Sequence, residues 1–503
     1  VYISNGSPYR YEAAFTFHGF RYLRVSGTDS VHKEDFTAVA LSTEKENLGA
    51  FECSDPRLNR LYQNIRWSQR SNMLSIPTDC PSREKGGFTG DIQIYAKTAM
   101  LNEEMTPFLT GWLKNLKAAQ AENGAVPITV PETAPYRRLM EANALEFGDE
   151  PPVGVAGWSD AAVLVPYTMY RLTGNRRILE EQYESMTHWC GYIIRTAEGR
   201  RGDSGLPHEV DSVLWNTGFH FGEWLIPSEE KGITQKEACQ RSAFYTAPIF
   251  GYLSVKCMAE IAEVLQKPEQ AYYSRTAGQM KAAIQTALIC DGELRSQNMG
   301  AYVLMIAFDL VPEHCKEHFA QKLISLLDSH HGCLDTGFLA TPFLLDAFVK
   351  IGRRDLAIKL LWQTRMPSWL YEVEQGATSV WESWDAITPG SEPRITSYNH
   401  YAFGCVDAWI FENIAGIRAL EPGFRRVEIA PDPDGLPLVY CRRSFRCEYG
   451  DLLVFWDRQT LRVSIPCGVR AVIRWQGTSH EVGSGEYTFT EPHRGGDQNE
   501  RTG

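Results

Sequence analysis

A run of about twelve amphipathic helical segments between residues 54 and 418 constrains the fold of this chain more than any other feature. The run begins at Ser54, where a capping side chain precedes Pro56 in the first turn. Short breaks such as Gly174-Asn175 separate the segments, and many carry an apolar stripe. No repeat of about 34 or 40 residues is visible, which disfavours a solenoid. Helices joined in pairs therefore predict a mainly α fold, with an (α/α)6 barrel over residues 51–420.

The predicted helices are defined by their apolar periodicity and by the Gly, Asn and Pro breaks between them. They lie near 56–72, 89–102, 104–121, 156–173, 177–198, 236–266, 268–289, 297–310, 313–329, 335–351, 354–373 and 400–418.

Both flanks of the helical run alternate with the two-residue period of β-strands. Residues 20–25 and 37–42 predict two strands, so that residues 1–50 form a short N-terminal β segment, the remnant or the end of a β-domain. Seven short strands with turn signals between them predict a C-terminal β-sandwich over 421–491. The strands lie at 426–430, 438–441, 445–449, 452–456, 460–465, 471–475 and 486–489. The polar residues 492–503 predict a disordered tail.

The composition argues against several classes of partner. The formal net charge of −12 disfavours a general nucleic-acid or anionic-membrane binder. An apolar run of about 20 residues is absent, so we expect no transmembrane helix. The lack of CxxC and HExxH patterns predicts that the protein uses no metal, and we expect no cofactor. Without a visible signal peptide we expect a cytoplasmic protein, although the chain starts at Val1 rather than Met, so a leader or an upstream domain could have been removed.

The loop from residue 79 to residue 91 has the most unusual composition in the chain. It holds three carboxylates, two cations and three glycines between two predicted helices. Loops concentrate binding and catalytic groups. A carboxylate beside a cation stays ionised, whereas one against an apolar wall has a raised pKa and can act as a general acid. The alternative interpretation is a surface loop with local ion pairs.

A second cluster, residues 372–385, interleaves carboxylates with Trp381 and Trp384. Aromatic rings stack on the apolar face of a sugar while carboxylates bind hydroxyls or transfer protons, although a helix-flanking loop with core tryptophans explains the pattern too. Trp158 and Trp224 also lie beside acidic residues, and His400 precedes the last helix. Because the loops at one end of a helical toroid converge, these patches predict one carbohydrate site.

Five short stretches, spread along most of the chain, resemble motifs of the bacterial α-L-rhamnosidases of glycoside hydrolase family 78. Residues 79–91 (DCPSREKGGFTGD) are similar to the family's D-C-P-x-R loop, which ends in G-W-T-G-D. Residues 18–22 (HGFRY) resemble the strand that ends the β-domain ahead of the barrel, and 157–161 (GWSDA) resemble G-W-G-D-A. Residues 376–385 (GATSVWESWD) and 397–404 (SYNHYAFG) are similar to G-A-T-T-I-W-E-R-W-D and S-x-N-H-Y-A-x-G. The resemblance implies an (α/α)6 catalytic barrel flanked by β-domains.

The resemblance also implies an activity and roles for individual residues. The enzyme would be an inverting glycoside hydrolase that releases terminal α-L-rhamnose, with Glu84 as general acid and Glu382 as general base. The expected substrate-binding residues are Asp79, Arg83, Phe88, Asp91, Trp158, Trp224, Trp381, Trp384 and His400. The partner would be a small-molecule or oligosaccharide rhamnoside, and the oligomeric state stays open, with a homodimer among the alternatives.

One departure from the family pattern concerns the sugar. Phe88 stands where the family has Trp, which makes that stacking surface smaller. Two other functions therefore stay open: an (α/α)6 glycosidase acting on a different sugar, and a catalytically inactive carbohydrate-binding homologue. The presence of both Glu84 and Glu382 argues against the inactive homologue.

Overall fold

The predicted helices form two concentric layers in a computed structural model, which describes residues 3, 6–7, 10–20, 22–28, 30–132, 153–199, 206–229 and 233–490. The described α-helices are α1 Pro56–Asn72, α2 Thr89–Asn102, α3 Thr106–Ala119, α4 Ala161–Thr173, α5 Arg176–Gly199, α6 His208–Asp211, α7 Gln235–Val264, α8 Gln270–Leu288, α9 Met299–Ala307, α10 Lys316–Ser329, α11 Thr341–Lys350, α12 Arg354–Leu361, α13 Trp369–Glu374 and α14 Val406–Trp409. A 3-10 turn at Ala402–Cys405 precedes α14, and a π-helical turn at Ile410–Ile414 follows it.

The inner layer closes into a ring. Helix α2 contacts α4, α4 contacts α7, α7 contacts α9, and α9 contacts α11. Helix α11 packs on α14 and the turn before it, and these return to α2. Helix α9 is buried at nearly every position, as expected for a helix enclosed on all sides. The closed ring confirms the predicted (α/α)6 barrel.

The outer helices pack on the inner ones in chain order. Helix α3 lies against α4 and α5, α5 against α4 and α7, α8 against α7, α10 against α9, and α12 against α11, while α1 contacts α13. Helix α1 begins where the sequence predicted, because the Asp55 side chain accepts from Arg57 N and Pro56 occupies the first turn. The consecutive helices α4–α5, α7–α8, α9–α10 and α11–α12 therefore form hairpins.

Two sheets follow the barrel, and they confirm the predicted sandwich. The strands are β1 Phe51–Cys53, β2 Met73–Leu74, β3 Ile76–Pro77, β4 Ile289–Cys290, β5 Glu293–Leu294, β6 Ile417–Ala419, β7 Arg426–Ile429, β8 Tyr440–Cys447, β9 Gly450–Asp457, β10 Thr460–Ile465, β11 Arg470–Trp475, β12 Thr478–Val482 and β13 Gly485–Thr490. One sheet has the order β1-β8-β9-β10-β13 and the other β12-β11-β7-β6. The remaining strands form two short hairpins, β2-β3 and β4-β5.

Two details of the sandwich differ from the prediction. The strands predicted at 438–441 and 445–449 are one strand, β8, which runs through Arg442 and Arg443. Arg443, between the two predicted strands, is buried against an acidic partner. Strands β1, β6 and β12 had not been predicted, and β1 joins the first sheet from a position ahead of the barrel. Strand β12 is mostly exposed and therefore lacks an apolar pattern.

The strands predicted at 20–25 and 37–42 are wrong. Among the described residues before Phe51, the regular element is a 3-10 turn at Lys33–Asp35, and Asn47 forms an isolated bridge with Glu103. Tyr22, one of the alternating apolar side chains, is 89% exposed, and a two-residue period forms a strand only when a neighbouring strand pairs with it. The predicted disordered tail, 492–503, lies outside the described residues. Every helix within the described ranges is too short or too polar to span a bilayer.

A buried ion pair joins the sandwich to the barrel. Arg443 on β8 donates from Nη1 to Asp407 Oδ1 at 2.9 Å and from Nη2 to Oδ2 at 3.1 Å. Asn102, at the end of α2, also donates to Asp407 Oδ2 at 3.1 Å. Both charged side chains are 0% exposed, so removing one of them leaves the other buried without its counterion.

We predict that Arg443→Met lowers the free energy of unfolding by about 3–5 kcal/mol, the usual cost of breaking a buried pair. Urea denaturation followed by tryptophan fluorescence would measure the loss. Arg446→Met is the matched control, because Arg446 lies on the same strand but pairs with Asp451 at the surface. The control should lose less than about 1 kcal/mol. Equal losses in the two variants would contradict a special contribution from the buried pair.

Candidate active site

The acidic loop predicted from sequence connects β3 to α2, at one end of the barrel. Its base is closed by two bonds: Asp79 N donates to Gly86 O at 2.9 Å, and Gly86 N donates to Asp79 Oδ1 at 2.7 Å. Within the loop, Glu84 N donates to Cys80 Sγ at 3.3 Å. Asp91 lies in the first turn of α2. The loop is therefore shaped by its own polar atoms, and it presents Glu84 beside the start of an inner helix.

Two carboxyl groups of this loop have raised pKa values. Asp79 is 3% exposed, and its burial raises its pKa to about 6 against the lowering effect of the His400 charge. Glu84 is solvent-exposed as a whole residue, yet the surrounding protein desolvates its carboxyl group. This desolvation, followed by the charges of Asp79 and Glu382, raises the pKa of Glu84 to about 7. Glu84 is thus suited to hold a proton near neutral pH.

Glu382 lies on a second loop, between α13 and the last inner turn. Its Oε2 accepts from Ser397 N at 2.9 Å, from Thr396 Oγ1 at 3.0 Å and from Arg83 Nη1 at 3.3 Å. All three partners are donors, and charge-assisted bonds of this kind suit a carboxylate. Arg83 belongs to the acidic loop, so this ion pair joins the acidic loop to the loop of Glu382. We call the space between these two loops the pocket.

Asp91 and His400 form a buried pair between these loops. His400 Nε2 lies 2.9 Å from Asp91 Oδ1, and both side chains are 4% exposed. Burial alone would lower the pKa of His400, but the hydrogen bond and charge of Asp91 raise it to about 9. His400 therefore lies close enough to Asp79 to lower the pKa of that carboxyl group, and its Nδ1 accepts from Ala402 N at 3.3 Å.

Trp158 and Trp224 lie on the neighbouring loops. Trp158 is 3% exposed and packs over Gly90, where a Cβ atom would come 2.6 Å from Trp158 Nε1. Only glycine therefore fits at position 90. Phe221 connects the two tryptophans, with ring centroids 4.8 Å from Trp158 and 5.4 Å from Trp224. Trp224 is half-buried and lines a cavity of about 190 Å³ together with Phe221, Glu223, Leu225, Ile226 and Arg394.

Trp381 and Trp384, which flank Glu382, are 2% and 4% exposed. Trp384 stacks on Phe403 at 4.2 Å and meets Trp369 edge-on at 5.6 Å. Both rings thus anchor the loop of Glu382 in the core. This agrees with the alternative interpretation of residues 372–385, a helix-flanking loop with core tryptophans. Phe88 is half-buried at the start of α2.

The structure brings together Asp79, Glu84, Asp91, Glu382 and His400, as predicted from sequence. It places Arg83 against Glu382, a pairing that the sequence did not indicate. Sequence reasoning also missed Thr396 and the buried Glu372, whose Oε2 accepts from Trp381 N at 3.2 Å. In the sequence, Glu372 is one of several carboxylates between residues 372 and 385. Only the fold shows that this one is buried and binds the backbone of the loop. Within the described residues, no group of three or more His, Cys, Asp and Glu side chains is arranged to hold a metal ion.

We predict that Asp79→Asn lowers the pKa of Glu84 from about 7, because the Asp79 charge is the largest electrostatic contribution after burial. A carbon-13 NMR titration of glutamate-labelled protein would measure it, with the signal assigned by its absence in Glu84→Gln. Asp385→Asn is the control, since Asp385 pairs with Arg394 and is not among the groups that shift Glu84. A pKa of Glu84 that is unchanged or higher in Asp79→Asn would contradict the prediction.

The fold is thus a closed ring of helices in which two glutamates of different environments meet at one end. Residues 46–414 match the family model of the bacterial alpha-L-rhamnosidase 6 hairpin glycosidase domain. Residues 416–488 match the C-terminal domain of the same family and residues 1–42 its concanavalin-like domain. The chain belongs to the bacterial α-L-rhamnosidase family.

Individual relatives agree with the family assignment. An alpha-L-rhamnosidase of Streptomyces avermitilis is 34% identical, over 95% of this chain and 46% of its own length. One from Formosa agariphila is 33% identical, over 91% of this chain and 48% of its own length. The chain thus spans about half the length of the curated relatives it matches.

Solved structures show the same fold. The Streptomyces avermitilis alpha-L-rhamnosidase complexed with L-rhamnose superposes with a TM-score of 0.78 at 32% identity, over 90% of this chain and 43% of that one. Native α-L-rhamnosidase from Aspergillus terreus gives a TM-score of 0.79 at 30% identity, over 90% of this chain and 51% of that one.

Proposed function

We propose that this chain hydrolyses terminal α-L-rhamnosides with inversion, using Glu84 as general acid and Glu382 as general base. The observation that carries the proposal is the difference between the two carboxyl groups. Glu84 has a pKa raised to about 7, whereas Glu382 accepts three hydrogen bonds on Oε2. Environments that separate two carboxyl groups in this way assign the acid and the base. The names of the relatives and the rhamnose complex of one of them support the sugar.

The acid step depends on where Glu84 lies. As the glycosidic bond breaks, the carboxylic acid of Glu84 gives its proton to the leaving oxygen, so the aglycone departs as an alcohol. At the rim of the pocket Glu84 can meet an aglycone that extends into solvent. Because the protonated form is the active one, turnover of poor leaving groups should fall as pH rises through about 7.

The base step uses the remaining oxygen of Glu382. Among the described residues, the donors to this carboxylate all bind Oε2, which leaves Oε1 to accept a proton from water. A water beside Oε1 would attack the anomeric carbon on the face opposite the leaving group. Such single displacement needs carboxyl groups about 6.5–9.5 Å apart.

The remaining polar residues would hold the sugar ring. Asp79, Asp91 and His400 form a buried polar wall suited to binding adjacent hydroxyls, and Arg83 adds donors beside Glu382. Trp224 and Phe88 would supply the apolar surface. The substrate would be a small-molecule or oligosaccharide rhamnoside.

We predict that Glu84→Gln reduces turnover of a rhamnoside with a poor leaving group by about 10²–10⁴-fold, because that substrate needs protonation. An activated aryl rhamnoside should lose far less. The comparison requires kcat for both substrates in the wild type and the variant. Glu104→Gln, at a carboxylate outside the pocket, is the control. An equal loss on both substrates would indicate a binding role for Glu84 instead.

We predict that the first product released from an α-rhamnoside is β-L-rhamnose, visible by proton NMR before mutarotation. Glu382→Ala should abolish turnover on poor and activated substrates alike, because the water then lacks its base. An initial α-anomer would indicate double displacement with Glu382 as nucleophile. Hydrolysis of another aryl glycoside but not of the rhamnoside would favour a different sugar, consistent with the smaller Phe88.

A further inference from the structure

The residue after the general acid is tied to the N-terminal segment of the chain. Lys85 Nζ donates to the backbone carbonyl oxygen of Phe17 at 2.6 Å. The same ammonium group lies 4.8 Å from the centroid of the Phe17 ring, within the range of a cation–π interaction. One cation therefore binds both the main chain and the side chain of Phe17.

A second contact lies on the other side of Glu84. Gly19 is packed so closely against the acidic loop that a Cβ atom there would come 3.1 Å from Ser82 Cβ. The segment 17–19 thus touches the loop both before Glu84, at Ser82, and after it, at Lys85. We call this pair of contacts the N-terminal clamp.

The backbone at Lys85 is strained. Its φ is 53°, in the left-handed region that residues with a Cβ atom rarely adopt. Glycine would adopt this conformation without strain, yet the chain has lysine at this position and glycine at the next two. Strain of this kind persists only where surrounding contacts hold it, and it is common at functional sites.

We propose that Lys85 is a positioning residue, which holds the carboxyl group of Glu84 over the glycosidic oxygen by clamping the acidic loop to Phe17. The inference rests on the proposed function, since it assumes that Glu84 donates the proton. Lys85 acts through the position of the loop and not through its charge. The charges that shift the pKa of Glu84 are those of Asp79, Glu382, Asp91 and His400. The Lys85 ammonium group is instead directed to Phe17.

The test compares Lys85→Met, Lys85→Arg and Lys85→Gly in the full chain. Lys85→Met keeps the aliphatic stem and loses the ammonium, so kcat on a poor leaving group should fall about tenfold, given that small misplacements of a catalytic group cost up to about 10²-fold. On an activated aryl rhamnoside the loss should stay below about twofold, because that reaction needs little protonation. Lys85→Arg should restore most of the rate, since arginine can also donate to the carbonyl oxygen and stack on the ring.

Two further variants separate the clamp from general destabilisation. Lys85→Gly removes the backbone strain together with the side chain, so it should keep the wild-type Tm and still show the loss on the poor leaving group. Phe17→Ala removes the ring but not the carbonyl oxygen, and its loss should lie between those of the wild type and Lys85→Met. The alkaline limb of the pH profile should stay where it is in the wild type.

Three results would overturn the proposal: wild-type kcat in Lys85→Met on the poor leaving group, equal losses on both substrates, or no rescue by Lys85→Arg. The proposed function fails separately. If Glu84→Gln shows no dependence on the leaving group, the acid assignment is wrong. If Glu84→Gln shows this dependence on the leaving group and Lys85→Met does not, only the positioning role of Lys85 is wrong.

Discussion

Closure of the six inner helical elements into a ring is the constraint on which the rest of this structure depends. An inner helix such as α9 is buried on every side, and it is stable in water only because its neighbours enclose it. Closure also brings one set of connecting loops to the same end of the barrel. Residues about 300 positions apart in sequence, such as Arg83 and Glu382, come within 3.3 Å for this reason.

The electrostatics of the site follow from crowding acidic groups at that end. Burial raises the pKa of Asp79 and of Glu84, and the charge of Asp91 raises both pKa values further. The charges of Asp79 and Glu382 add to the rise at Glu84. His400 offsets part of this effect, since its charge lowers the pKa of both carboxyl groups. Glu84 is therefore suited to hold a proton near neutral pH, while Glu382 accepts from Thr396 and Ser397 of its own loop and from Arg83 of the acidic loop.

The site is supported both from within the loop of Glu382 and from the N-terminal segment. Thr396 and Ser397 hold Glu382, Glu372 binds the backbone of Trp381, and segment 17–19 lies on the acidic loop. Polar supports of this kind keep reacting groups in place, because small misplacements have large effects on rate.

The sequence by itself determined the helical run, the helix boundaries near Pro56 and Thr89, and the sandwich, because periodicity and caps are local signals. The roles of Glu84 and Glu382 came from the family resemblance and stay predictions. Only the tertiary structure decided the rest. Strand β8 continues through Arg443 because Asp407 lies beneath it, and the described residues of 20–25 and 37–42 form no strand. The partners of Arg83 and Lys85 were likewise invisible, since ion pairs and clamps depend on which distant residues the fold places within a few ångströms.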